Sequence, residues 1–332
     1  MFDLPRKTYT VASTGHTYEY IRIEAANATK STILFLHGFP AIASGWHHQI
    51  KYFADLGHRI IAPDLLGFGG TSNPESASEY RSNILIEDTI AVLDHEKIGR
   101  FHGVGHDAGT YVLSRLYNYH PARLLSMTFI AVPYGAPGTH YDLEAMNQLT
   151  KKLIGFEKFA YMYFLSSDRS PELIEQHLAS FLNVAYHKNV DIKADSFYPP
   201  GKLQAWLEAD RNDEQVLLSP EESTRWLEAF RKSGFRGATN GYRVMAENLN
   251  EEHEKADLAA GKLTTKIEIP VLAIESTPDK ASLPGFMEGA IKPYATAQLT
   301  TKTVESQGHY PHIVSKEEVN QAVHEFLSRI DS

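Results

Sequence analysis

The chain has 332 residues, enough for two domains or for one domain with a large insertion. Its hydrophobic fraction of 42% and charged fraction of 22% are typical of a globular protein with a full core. The net charge of −9 argues against a nucleic-acid partner, because such partners are bound by clustered Lys and Arg. The lack of cysteine excludes disulfides and thiolate metal sites. Because no apolar stretch suits a signal peptide or a membrane span, we expect a cytoplasmic protein without membrane contact.

Short apolar segments alternate with helix-period segments from residue 31 onward. Strands are predicted at residues 32–36, 59–62, 101–105 and 127–132. A helix between the second and third of these strands has Ile86, Ile90 and Leu93 on one face. This alternation predicts a mostly parallel sheet with helices on both of its faces.

The pattern from about 139 to 262 is helical, without convincing strands. Ser170-Pro171 is predicted to begin one helix whose apolar face continues to Ala185. A second helix begins with a capping box formed by Ser219 and Glu222.

Strand patterns return at residues 269–274 and 299–304, and Ser315 and Glu318 predict a capped final helix. The simplest architecture is therefore an α/β core made of residues 1–138 and 263–332, interrupted by a helical insertion at 139–262.

The central motif is Gly103-Val104-Gly105-His106-Asp107-Ala108-Gly109, which joins a predicted strand to a predicted helix. Small residues at 105 and 109 allow a sharp turn that raises residue 107 above the sheet, as in the nucleophile elbow Gly-x-Ser-x-Gly. The elbow residue is here an aspartate. A carboxylate suits backside displacement at an sp³ carbon, which forms an alkyl ester that water can cleave. The positive end of the following helix favours the ionised form of Asp107.

A competing interpretation is a dinucleotide-binding fingerprint, which Gly103-x-Gly105-x-x-Ala108 also satisfies. That motif needs an acidic residue ~20 positions further on, at the end of the next strand. Residues 123–138 contain no Asp or Glu, and the fingerprint would not lie in the first strand–helix unit. The elbow is therefore the favoured interpretation.

A second motif, His37-Gly38-Phe39-Pro40, directly follows a predicted strand. Glycine there lets the backbone approach a substrate oxygen, so the amides of Phe39 and Ala108 are predicted to form an oxyanion hole. A plain tight turn is the alternative interpretation for this motif alone.

The partners of the nucleophile should follow in the order acid, then histidine. Asp279 is the aspartate that follows the strand at 269–274, and His309 lies past the strand at 299–304. We expect His309 to act as the base and Asp279 to hold its ring, with His312 as the competing base. No metal site is predicted, because His47-His48 and His309-x-x-His312 lack the spacing and the acid of a zinc motif. These additional histidines are interpreted as solvated or capping residues.

The chain resembles the soluble, microbial or fungal-like epoxide hydrolases of the α/β-hydrolase superfamily over nearly its whole length. The matching motifs are His37-Gly38-Phe39-Pro40, Pro63-Asp64-Leu65-Leu66-Gly67-Phe68-Gly69-Gly70-Thr71-Ser72, Gly105-His106-Asp107-Ala108-Gly109, Pro278-Asp279 and Gly308-His309-Tyr310-Pro311. The resemblance implies an α/β-hydrolase core with an inserted helical cap domain. It also implies hydrolysis of small-molecule epoxides without a cofactor.

Two cap tyrosines hydrogen-bond the epoxide oxygen in that family. The resemblance assigns these roles to Tyr161 and to Tyr242, which lies in Asn240-Gly241-Tyr242-Arg243. Tyr163 stays open as the alternative to Tyr161, because Met162 stands where the family has glutamine.

Two other functions on the same fold stay open. Haloalkane dehalogenases resemble the chain but use a tryptophan after the nucleophile to hold the halide. Haloacetate dehalogenases have an arginine at the same position. This chain has Ala108 there. The second halide ligand of the haloalkane enzymes corresponds to Phe39. A ligand-binding relative without catalysis would not need an intact Asp–Asp–His set.

Overall fold

The protein is described by a computed structural model over residues 4–26, 30–277, 281, 283, 285–306 and 308–331. One eight-stranded sheet has the order β1-β2-β4-β3-β5-β6-β7-β8. Its first two pairings are antiparallel and the other five are parallel. The strands are β1 (Arg6–Thr10), β2 (Thr17–Ile23), β3 (Thr32–Leu36), β4 (Ile60–Pro63), β5 (Phe101–His106), β6 (Leu124–Ile130), β7 (Val271–Ser276) and β8 (Leu299–Val304).

Helices cover both faces of this sheet, which explains why the central strands β3 and β5 are buried at every position. Outside the stretch between β6 and β7, the helices are α1 (His47–Asp55), α2 (Ser82–His95), α3 (Ala108–Tyr119), α13 (Phe286–Ile291), α14 (Pro311–Val314) and α15 (Lys316–Ser328). Ile33 and Phe35 belong to the core cluster that contains α1 and α15, whereas Leu34 and Leu36 belong to the cluster that contains α2 and α3. The predicted α/β fold with a mostly parallel sheet is confirmed.

Nine helices lie between β6 and β7, a stretch that the structure describes completely. We call residues 143–259 the helical segment. Its helices are α4 (Leu143–Ile154), α5 (Tyr161–Leu165), α6 (Ser170–Gln176), α7 (Leu178–Ala185), α8 (Val190–Ser196), α9 (Lys202–Glu208), α10 (Pro220–Ser233), α11 (Arg236–Ala246) and α12 (Glu251–Ala259). The division of the chain into a core and an inserted domain at 139–262 stays a prediction.

The local predictions in the helical segment have mixed outcomes. The capping box of Ser219 and Glu222 is present at the start of α10. The single helix predicted from Ser170 to Ala185 is wrong, because His177 has φ −122° and ψ 42° and separates α6 from α7. The apolar face nevertheless continues across this break, since Ile174 and Phe181 are both fully buried.

The predicted capping box of Ser315 and Glu318 is also wrong, although α15 begins at the residue after Ser315. The Ser315 hydroxyl donates instead to the Glu305 carbonyl at 2.6 Å, and the Glu305 amide donates to Glu318 Oε2 at 2.8 Å. Both side chains therefore attach α15 to the loop after β8.

The strands β1 and β2 were not predicted, because their burial alternates or is slight and they lie before the first apolar segment.

Candidate active site

A sharp turn between β5 and α3 carries Asp107. Its backbone has φ 51° and ψ −123°, a conformation that a residue with a side chain rarely adopts. Glycines allow the close packing around it. A Cβ on Gly105 would lie 2.7 Å from the Gly109 carbonyl oxygen, and one on Gly38 would lie 2.3 Å from the Asp107 Cβ. The predicted elbow geometry is therefore present, with the chain after β3 packed directly against it.

The two carboxylate oxygens of Asp107 have different partners. Oδ1 accepts a hydrogen bond from the Phe39 amide at 2.8 Å, and Oδ2 lies 3.0 Å from His309 Nε2. Burial raises the pKa of Asp107, but the hydrogen bond and charge of His309, with smaller contributions from His106 and the Phe39 amide, bring this pKa well below its usual range. Asp107 is thus a carboxylate at neutral pH, with 19% of its side chain exposed.

Of the two predicted oxyanion donors, the Phe39 amide is in contact with Asp107. Ala108 is the first residue of α3, where backbone amides have no partner within the helix, and this residue is exposed. Its methyl side chain offers no hydrogen bond to a ligand beside Asp107.

The loop after β8 brings His309 to Asp107 and is held at several points. His106 Nε2 donates to the His309 carbonyl at 2.8 Å, and the Ser276 hydroxyl donates to the Gly308 carbonyl at 2.7 Å. Burial and the nearby charge of His309 lower the pKa of His106 to about 3, so its ring is neutral with the proton on Nε2. Sequence reasoning assigned no role to His106, although it lies within the elbow motif.

The competing base, His312, lies elsewhere. Its buried ring packs against Trp46 and His106, with centroid distances of 4.7 Å and 4.3 Å. The predicted acid of the triad, Asp279, lies outside the described residues, so its role stays a prediction.

Tyr161 and Tyr242 come from separate helices of the helical segment and meet edge to face, with ring centroids 5.9 Å apart. Tyr242 also lies edge to face against Phe39, at 5.0 Å. Burial is the largest cause that raises the pKa of each phenol well above the usual tyrosine value. The charge of Asp107 raises both pKa values further. Both hydroxyls are therefore protonated at neutral pH. Tyr163 is 47% exposed and its hydroxyl donates to Glu144 at 3.3 Å.

The Pro40 carbonyl accepts two hydrogen bonds from the helical segment, one from the Tyr186 hydroxyl at 2.9 Å and one from Trp226 Nε1 at 2.6 Å. These contacts fix the residue next to the Phe39 amide. Sequence reasoning missed both donors, and no sequence signal links them to Pro40, because they follow it by 146 and 186 residues.

His47 is a capping residue rather than a solvated one, because it follows the 3-10 turn Ala43–Trp46 and its Nδ1 lies 3.1 Å from the Ser44 carbonyl of that turn. Its ring is buried, with 3% of the residue exposed, and it lies near Glu222 of α10. The sequence gives no reason to connect these two residues.

Comparison with known proteins identifies the family of this chain. Residues 31–314 match the family described as alpha/beta hydrolase fold. The chain belongs to this family. Among the described residues, no helix is both long enough and apolar enough to cross a membrane.

Within the α/β-hydrolase family, the chain is similar to proteins named as epoxide hydrolases. Epoxide hydrolase srdG of Neurospora crassa is 27% identical over 98% of this chain and 96% of its own length. Epoxide hydrolase A of Mycobacterium tuberculosis is 27% identical over 93% of this chain and 94% of its own. The crystal structure of epoxide hydrolase A from Mycobacterium thermoresistibile superposes with a TM-score of 0.76 at 23% identity, over 98% of both chains. The predicted resemblance to epoxide hydrolases is confirmed.

Proposed function

We propose that the protein hydrolyses epoxides to vicinal diols through an alkyl ester on Asp107. The observation that supports this best is that the two oxygens of the Asp107 carboxylate have different partners. One oxygen is held by the Phe39 amide, and the other lies beside His309. A carboxylate held in this way can attack with one oxygen while the other already occupies an oxyanion site. The names of the similar proteins support the same substrate class.

In the first step, Asp107 Oδ2 attacks one epoxide carbon and the bond from that carbon to the epoxide oxygen breaks. The leaving oxygen takes a proton from Tyr161 or Tyr242, whose raised pKa values keep these hydroxyls protonated until the alkoxide develops. The product is a hydroxyalkyl ester of Asp107 and one tyrosinate.

In the second step, His309 takes a proton from water, and the resulting hydroxide attacks the Cγ atom of Asp107. The oxyanion forms at Oδ1, where the amides of Phe39 and Ala108 would stabilise it. The intermediate expels the diol, which takes the proton from His309. The carboxylic acid that is left returns its proton through solvent to the tyrosinate. Asp279 is the residue that we expect to orient the His309 ring, and no step requires a cofactor.

We also propose that residues 139–262 form a cap domain on a core made of 1–138 and 263–332. The observation that supports this division is that residues 139–262 supply Tyr161 and Tyr242. Asp107 and His309 come from the strands, helices and loops outside this stretch, which we call the sheet region. The cytoplasmic location, and the lack of a nucleic-acid partner, stay predictions from the sequence.

Labelled water tests the covalent route. A single turnover of excess enzyme in water labelled with heavy oxygen should place the label in the Asp107 peptide and leave the first diol unlabelled, because water attacks the ester carbonyl. Asp107→Asn should be inactive yet folded, since an amide of nearly the same shape is a poor nucleophile. Label found directly in the first diol would mean that water attacks the epoxide itself and would contradict the proposal.

Dehalogenation is the second candidate reaction, and the observations favour it less. A halide leaves as a stable anion and needs side-chain donors rather than an acid, but Ala108 and Phe39 offer none. The two protonated phenols instead suit a basic leaving oxygen. Diol release from epoxides should therefore exceed halide release from alkyl halides of the same size. A protein that binds epoxides without turnover would instead be a receptor.

A further inference from the structure

A cluster of three metal-binding side chains lies outside the candidate active site. His47 and His48 begin α1, and Glu222 lies in the first turn of α10. The Nε2 atoms of His47 and His48 are 3.3 Å and 3.9 Å from the same Glu222 oxygen, Oε1. One donor atom from each of the three residues lies within 4.8 Å of the other two. The cluster therefore joins the first helix of the sheet region to the helical segment.

Local hydrogen bonds aim these donor atoms at one another. The other oxygen of Glu222, Oε2, accepts the Ser219 amide at 2.7 Å in the capping box, which turns Oε1 toward the histidines. His47 Nδ1 lies 3.1 Å from the Ser44 carbonyl and must donate its proton there. In the neutral ring, Nε2 consequently directs a lone pair toward the carboxylate. Fixing a ring by its second nitrogen is the usual support of a metal-binding histidine.

A histidine nitrogen that faces a carboxylate oxygen can share either a proton or a metal ion with it. In a tetrahedral zinc site with bonds of ~2.0–2.1 Å, neighbouring donor atoms are ~3.3 Å apart, close to the separation of His47 Nε2 and Glu222 Oε1. We propose that His47, His48 and Glu222 bind a Zn²⁺ ion, with water as the fourth ligand. Two imidazoles and one carboxylate are a donor set that zinc accepts and that magnesium or calcium does not favour.

The charges around the cluster allow this binding. Burial is the main cause that lowers the pKa of His47, and burial with the neighbouring His47 lowers the pKa of His48 to about 4. Arg225 and Lys316 bring positive charge near the cluster, and Glu317 brings negative charge, so nearby side chains partly offset one another.

Isothermal titration of the metal-free full chain with zinc chloride tests the proposal. We expect one zinc per chain, and affinity at least ~10-fold weaker in His48→Gln and in Glu222→Gln. Gln at 222 can still accept the Ser219 amide through its side-chain oxygen, so the capping contact and the fold should persist. His140→Gln is the matched control, because His140 pairs with Glu251 at 2.6 Å on the surface without belonging to the cluster.

Two further measurements identify the site that binds. Cobalt in place of zinc should give the intense visible absorption of tetrahedral coordination in the parent and in His140→Gln only. Zinc at 100 times the parent Kd should raise the parent Tm by about 4 °C and the Tm of His48→Gln by at most about 2 °C. Zinc binding that persists unchanged in both cluster variants, that is lost only in His309→Gln, or that is absent from the parent, would overturn the proposal.

Discussion

His106 donates a hydrogen bond from Nε2 to the backbone carbonyl of His309 at 2.8 Å. The residue that precedes the candidate nucleophile therefore holds the backbone of the candidate base. Because the His106 ring is neutral, this contact places no positive charge from His106 beside His309. The distance between the two reacting groups is thus set by one backbone contact as well as by the loop after β8.

Replacing His309 by Gln should separate the two proposed steps. Asp107 keeps its position and can still open an epoxide, but no base is left to activate water for the ester. We expect a stable adduct on the Asp107 peptide, visible as the mass of enzyme plus epoxide, and loss of turnover by at least ~10²-fold. His312→Gln is the control and should turn over without accumulating an adduct. An adduct in the control variant rather than in His309→Gln would move the base role to His312.

Removing the hydroxyls of Tyr161 and Tyr242 together should slow epoxide opening by ~10²–10⁴-fold, since general acid help is worth about that much. Each single Phe variant should be slower yet active, because the other phenol can still donate its proton. Tyr163→Phe is the matched control and should keep the parent rate, since the Tyr163 side chain is exposed and its hydroxyl donates a hydrogen bond to Glu144. Rates of adduct formation by rapid quench measure this step directly. A double variant as fast as the parent would show that another group protonates the leaving oxygen.

Trp226→Phe should weaken the oxyanion site without touching the substrate. The indole nitrogen donates to the Pro40 carbonyl at 2.6 Å, next to the Phe39 amide that contacts Asp107. Losing one oxyanion donor outright costs ~10²–10³-fold in rate, so we expect a displaced donor to cost about 10-fold in ester hydrolysis. Trp206→Phe is the control, because that buried indole donates to Ser180 instead. Equal effects of both substitutions on adduct breakdown would indicate a packing effect of the helical segment rather than positioning of Pro40.

Glu254 of α12 and Arg115 of α3 form a buried ion pair at 2.6 Å that connects the helical segment to the sheet region. Burial raises the pKa of Glu254, but Arg115, the Gly138 amide and the Ser82 hydroxyl lower it by more, so the folded-state pKa is below the unfolded value. The stabilisation is therefore complete above the unfolded pKa of ~4.3 and is lost as the pH falls through the folded pKa.

Glu254→Gln should lower the free energy of unfolding by ~3–5 kcal/mol at pH 7, because it leaves the Arg115 charge buried without its anion. Urea unfolding at several pH values checks both statements. The difference between parent and variant should shrink as the pH is lowered below ~4. A constant difference at every pH would mean that the carboxylate charge is not what stabilises this contact.

The predictable part of the molecule is the part governed by local pattern. β3 and β8 have the predicted bounds because β3 is apolar or β-branched throughout and β8 is so at every position except Lys302. The elbow was predictable from Gly105 and Gly109, because small residues on both sides of Asp107 permit the sharp turn there. The break between α6 and α7 at His177 was not predictable, because the apolar period of the sequence continues through His177.

Contacts between distant segments were beyond sequence pattern. Ser315 and Glu318 satisfy the spacing of a capping box, yet both bind Glu305 in the loop that leads to His309. Their alternative partner exists only once β8 has packed beside α15. The hydrogen bonds of Tyr186 and Trp226 to Pro40 likewise depend on how the helical segment folds over the chain after β3.

The backbone of Asp107 bears on how activity and thermal stability are related in this protein. Its φ of 51° would suit glycine, and an L-residue held there costs ~1–3 kcal/mol. Asp107→Gly and Asp107→Ala both remove the carboxylate, so their difference in unfolding free energy reports that backbone cost less the extra conformational entropy that glycine loses on folding, and the Gly variant should be the more stable of the two. Selection for heat resistance alone would therefore favour glycine over alanine at the position on which the proposed reaction depends.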